Sequence, residues 1–221
     1  MGNSRAIVVF ALVGAFALTG CTGSPVTSPT TSGLTESPRA LESVSSWLSY
    51  HSDQSRTGAI ESNSPGKPAT VAWATALGAA VYGQPLVAND RIIAATEGNR
   101  VVALDPDTGA IEWSVSLGTP LTHVVDIAGC GNIDPLGITS TPAIDLAMGT
   151  VFVVGEVYEN GSVHHQLTGI SISTGKVLLS EAVDPPLPAG ETPKTLLQRA
   201  GLAIANGRVY IGYGGNAGDC G

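Results

Sequence analysis

A four-strand unit that recurs along the chain constrains this protein more than any other feature. Residues Gln84 to Ala88 (QPLVA) run into the turn Asn89-Asp90, and Arg91 to Thr96 (RIIAAT) end at Glu97-Gly98-Asn99. Arg100 to Leu104 (RVVAL) run into Asp105-Pro106-Asp107-Thr108-Gly109, and Ala110 to Leu117 (AIEWSVSL) close the unit. Short β-branched and aliphatic runs bounded by Asn, Asp and Gly predict strands joined by tight turns. In the last run Ile111, Trp113 and Val115 share one face, and Glu112, Ser114 and Ser116 share the other. That period of two suits a half-buried antiparallel strand.

The unit recurs as TSTPAID from Thr139, TVFVVG from Thr150, QLTGISI from Gln166 and KVLLSEA from Lys176. Pro142 takes the place of Pro85, and Thr174-Gly175 takes the place of Thr108-Gly109. A third unit begins at Arg199, with Asn206-Gly207 as its hairpin signal. Extra residues fall in 119–138 and 184–198. Serial units of about 40–45 residues with four strands form propeller blades. The expected fold class is therefore all-β: a β-propeller of four-stranded antiparallel blades, two complete and a third in part. Trp113 is expected to pack between blades. Because the third unit stops at Gly221 just after a strand, a truncated product or one that needs assembly is expected.

Composition agrees. The 28 glycines and 14 prolines suit turns rather than helices, and 43% hydrophobic residues suffice for a core. The net charge of -8 lacks the basic footprint that nucleic-acid binding requires.

The N-terminus reads as an export address. Arg5 precedes an uncharged run, Ile7 to Leu18, which is shorter than the roughly 20 residues of a membrane-spanning helix. It fits a signal-peptide core over residues 1–20. Leu18-Thr19-Gly20-Cys21 resembles the lipobox of bacterial lipoproteins, which implies that Cys21 is acylated and becomes the new N-terminus. The alternatives are an ordinary secretory signal and an uncleaved anchor. Residues 21–45, dominated at first by Ser, Thr, Pro and Gly, have little to bury and are expected to form a tether. The repeat region is then 46–221. Export and parity together predict a disulfide between Cys130 and Cys220, with free thiols or a cysteine metal site as alternatives.

Asn99 to Trp113 (NRVVALDPDTGAIEW) resembles the blade motif of pyrroloquinoline-quinone-like propellers. Val151 to Val154 and Arg208 to Gly212 resemble the second strand of the same repeat, and Trp47 to His51 resembles the opening segment of such proteins. The resemblance implies an extracytoplasmic propeller. Its enzymes hold the quinone against an adjacent cysteine pair, with a calcium bound by acidic and amide side chains. No adjacent cysteines occur here, and the acidic–amide set has no residue-by-residue counterpart. No cofactor is expected; the quinone with calcium belongs only to the alternative reading as a quinone-dependent dehydrogenase or a degenerate relative of one.

Other candidate groups are sparse. His123, Asp126, Asn132 and Asp134 offer cation ligands, but Asn132 and Asp134-Pro135 are also turn formers. His164 and His165 should point to opposite faces of a strand, which disfavours joint metal binding. No nucleophile or phosphate-loop motif occurs, and the glycines from Gly212 to Gly218 read as a loop. The expected function is binding or scaffolding by a lipid-anchored module on the outer side of a bacterial cell membrane. Its expected partner is an envelope protein, a glycan or a small ligand, contacted through the 119–138 and 184–198 insertions.

Overall fold

Each complete unit folds as its own four-stranded antiparallel sheet, with strands in chain order. The first contains β1 (Leu86–Ala88), β2 (Arg91–Ala95), β3 (Arg100–Leu104) and β4 (Ile111–Ser116). The second contains β5 (Ala143–Asp145), β6 (Thr150–Glu159), β7 (Ser162–Ser171) and β8 (Val177–Ala182). This computed structural model describes residues 46–59 and 70–216. The signal segment, the tether, Cys21 and Cys220 lie outside the described residues.

Local chemistry explains the turns. Asn89 and Asp90 both adopt positive φ, at 50° and 56°, as do Asn206 and Gly207 at 51° and 69°. This conformation matches the twist of the strands on either side. At the other hairpin type, Asp105 Oδ1 accepts from the Thr108 amide and hydroxyl at 2.8 and 2.7 Å. Gly109 then reverses the chain at φ 70°.

The structure departs from the sequence expectation in four places. β1 and β5 are shorter than expected, because Gln84-Pro85 and residues 139–142 serve the inter-blade connection; the Gln84 amide donates to Thr141 Oγ1 at 2.9 Å. β6 and β7 are longer. Their ladder continues from Glu156↔His165 to Glu159↔Ser162 and turns at Asn160-Gly161. A reading based on apolar runs ends at Gly155 because the extension carries polar residues. A short helix, α1 (Val124–Ala128), stands inside the first insertion. Finally, Gly214–Gly215 form a strand and not a loop. They pair with β9 (Leu196–Leu197), and a glycine backbone serves a ladder as well as any other. With β10 (Ala203–Ala205) and β11 (Arg208–Tyr210) forming the third unit's first hairpin, Gly214–Gly215 are β12.

The blades stack through their faces. Leu86, Ile93, Val101 and Ala103 of the first join Ile144, Val151, Val153 and Ile170 of the second in one core, with Trp113, Val115 and Leu117 packed on it. Phe152, Val154 and Leu167 of the second join Leu202 and Ile211 of the third unit. The early segment crosses the first strands. Trp47 bridges Val87 antiparallel, the Ile144 amide donates to the Leu48 carbonyl at 2.8 Å, and Arg56 reaches the Leu202 carbonyl at 3.4 Å.

Candidate functional site

In each blade the second strand ends at the rim where the first strand begins. Both insertions are inter-blade connections, so the topology gathers them at this same rim. Leu121, Val124 and Leu136 of the first insertion pack with Val163 of the β6–β7 extension and with Leu197. Lys194 of the second insertion donates to the Ile127 carbonyl at 3.1 Å. The two connections and the long hairpin thus form one ordered platform.

Buried acids lie beneath it. Glu97 follows β2, and Glu156 occupies the equivalent place in β6; they are 1% and 2% exposed. Gly137 of the first insertion ties them together. Its amide donates to Glu97 Oε2 at 2.8 Å, and its carbonyl accepts from the Glu156 amide at 2.9 Å. Asn99 Nδ2 donates to the Glu156 carbonyl at 2.6 Å. Both carboxylate oxygens of Glu156 lack a hydrogen bond, and His165 Nε2 lies 3.7 Å from Oε2. Burial, with the charges of Glu97 and Asp184, pushes the Glu156 carboxyl up to about 9. Burial also raises Glu97, against the pull of the Gly137 amide. Glu156 is therefore a neutral acid at pH 7, which makes its burial tolerable.

His165 links this chamber to Asp184, whose Oδ1 lies 2.9 Å from His165 Nδ1 and 2.8 Å from its amide. Burial alone would raise Asp184. The hydrogen bonds and charge of His165, joined by His164, outweigh burial and hold it below its usual range. Tyr213 stands edge-on to His165 at 5.0 Å, and its hydroxyl donates to the Val183 carbonyl at 2.7 Å.

The sequence-predicted groups fall out unevenly. His164 and His165 differ as expected in burial, yet Asp184 reaches both, with His164 Nδ1 3.3 Å from Oδ2. Asp134 accepts from the Val124 amide at 3.4 Å, and its bond to Pro135 is cis. Among the described residues, no three His, Cys, Asp or Glu side chains gather in a way that could hold a metal ion. Cys130 is disulfide-bonded, and its partner lies outside the described residues. Sequence reasoning missed Glu97, Glu156 and Asp184. The available signal was positional, since Glu97 and Glu156 are each the seventh residue of aligned runs beginning at Arg91 and Thr150.

Among the described residues, two clefts bear on the candidate site. One of about 440 Å³ lies beside the platform, lined by Asn132, Leu197, Arg199 and residues 212–215. The other, about 660 Å³, opens at the opposite rim between the early segment and the β5 and β10 turns, lined by Asp53, Arg56, Asp145 and Asn206.

Four-stranded blades stacked in series, with enlarged connections on one rim, define a β-propeller repeat protein. The chain belongs to the family described as the outer membrane protein assembly factor BamB, whose pattern matches residues 63–217. Among solved structures it is similar to BamB from Moraxella catarrhalis, at 16% identity and a TM-score of 0.47 over 64% of this chain and 37% of that one. It is also similar to quinohemoprotein alcohol dehydrogenase from Comamonas testosteroni, at 20% identity and a TM-score of 0.35 over 51% of this chain and 15% of that one. The chain thus spans well under half the length of either. No curated protein matches.

Proposed function

We propose that this protein is a binding or scaffold module of the bacterial cell envelope, held at the membrane by a lipid on Cys21 and working without a bound cofactor. The platform carries the reading. An extended hairpin and two enlarged connections are packed into one rigid surface with their own apolar core, beyond what the blades need. Loops on a rigid scaffold are where binding residues concentrate. Tyr82 and Val125, 54% and 59% exposed, flank this rim and offer apolar anchors. The family description favours an envelope protein, one engaged in outer-membrane assembly, as the partner.

Photo-crosslinking in cells tests the face. A crosslinker at Val125 should trap a discrete envelope protein, and one at Asp107 on the opposite rim should not. Equal labelling from both positions would sink the reading. Incorporation of labelled palmitate should vanish in Cys21→Ser, and its persistence would remove the anchor. Dye-linked alcohol or sugar oxidation after adding the quinone and calcium would favour the dehydrogenase reading instead.

A further inference from the structure

The first strand of each unit turns one residue's amide and carbonyl toward its free edge, and the early segment covers two of these edges. In β1 that residue is Val87. Trp47 donates to its carbonyl at 2.7 Å and accepts from its amide at 3.0 Å. In β5 it is Ile144, whose amide donates to the Leu48 carbonyl at 2.8 Å. One extended run thus adds itself to two successive blades.

The third unit keeps its edge open. Asn206-Gly207 is a two-residue turn, so Ala205 and Arg208 beside it form a hydrogen-bonded pair, and Ile204 and Val209 the next, non-bonded one. The Ile204 amide and carbonyl therefore point away from β11, as those of Val87 point away from β2. Among the described residues neither has a backbone partner. A strand edge with a free donor and acceptor is a template for strand addition.

That edge lines the cleft of about 660 Å³, a volume within the range of ligand sites. Leu48, Ile144 and Leu202 give the cleft apolar walls. Its charges are uneven. Arg56 is engaged with the Gly201 and Leu202 carbonyls and lies over the Tyr50 ring. Asp145 uses Oδ1 to accept from the Ala147 and Met148 amides, and its Oδ2 has no partner among the described residues. Asp53 adds a second carboxylate to the lining.

We propose that this cleft receives an extended segment of a partner protein, which adds to the free edge of β10 and sets a Lys or Arg at Asp145. The paired donor and acceptor of Ile204 specify a strand and not a compact ligand. Leu48 ends the run that covers β1 and β5 and lines the same cleft, so the docked strand continues that interface. It runs antiparallel to β10, as Trp47 runs to Val87, and carries aliphatic side chains to match the walls. The surface is separate from the platform and from the outer β3–β4 turn that holds Asp107, so either reading can fail alone.

The test uses the full chain and the probe peptide acetyl-KVTVK-amide. In the free protein the Ile204 amide should exchange with deuterium at least about ten-fold faster than the Val87 amide, which is bonded to Trp47. The probe at up to about 1 mM should slow it by a similar factor. The same peptide N-methylated at its three central residues cannot donate to the Ile204 carbonyl and should give no protection. Acetyl-EVTVE-amide should protect several-fold less. Asp145→Asn keeps the oxygen that holds the turn, so it should leave the denaturation midpoint in place and weaken the lysine probe several-fold. Slow exchange of Ile204 in the free chain would mean that the chain's own backbone holds the edge, and would overturn the proposal. So would no protection by the lysine probe, protection by the methylated one, equal protection by the glutamate one, or unchanged affinity in Asp145→Asn.

Discussion

Trp113 of the first blade donates its indole N–H to the carbonyl of Ile172 in the second, 2.8 Å away. One side chain thereby joins two sheets through a hydrogen bond and a stacked ring. Gly175, at φ 71°, is the surface beneath that ring. Gly175→Ala adds a methyl where both the backbone angle and the indole forbid it, and should cost more than about 1 kcal/mol in urea denaturation. Trp113→Phe keeps the ring face but leaves the Ile172 carbonyl without its donor, a loss of about 1 kcal/mol. An unchanged denaturation midpoint in Gly175→Ala would mean that the joint is not tight.

Asn99 makes the polar counterpart of that joint. It is fully buried, and its amide reaches across to the Glu156 carbonyl. Asn99→Ala should destabilise by about 1–3 kcal/mol, since a buried carbonyl loses its side-chain donor and a small void opens. Amide exchange should accelerate in the β6–β7 extension more than in β3.

Glu156 should make stability fall with rising pH. Its carboxyl has a pKa of about 9 in the folded protein against 4.5 in the reference state. The raised value means that the folded state holds the proton more tightly. The stabilisation is fully present below pH 4.5 and is lost as pH rises toward 9, at no more than about 1.4 kcal/mol per pH unit. Glu156→Gln removes this slope, so its advantage over the parent should grow between those limits. Denaturation at several pH values measures it, and parallel curves would refute the assignment. Asp184→Asn removes a charge that raises Glu156 and should move the midpoint of this loss to lower pH.

Cys130 offers a covalent check. Pairing with Cys220 would tie the first insertion to the end of the third unit. Non-reducing peptide mapping should find the 130–220 link, and Cys220→Ser should expose one alkylatable thiol at Cys130. The loss in stability should be about 2–4 kcal/mol. A link from Cys130 to Cys21 would replace this pairing and remove the lipid site.

Much of the blade architecture was legible in the sequence because its determinants are local. The Asn89-Asp90 and Asn206-Gly207 turns, the Thr-Gly turns and the alternation from Ile111 to Ser116 each act within a few residues. Most of the candidate site was not legible. Glu156 and His165 lie on a strand extension that no apolar run announces. Their burial depends on insertions from 119–138 and 184–198 that fold over them, and Asp184 meets His165 from beyond the end of β8.

The sequence alone determined the repeating strand-and-turn unit, the net negative charge and the three cysteines, because composition and short-range turn chemistry suffice for these. Only the tertiary structure decided that Gly137 bridges two buried acids, that Trp47 and Leu48 cover the free edges of two blades, and that the two insertions form one platform. Each of these is a contact between segments dozens of residues apart. Its energy depends on burial and on a partner's position, neither of which exists until the blades stack.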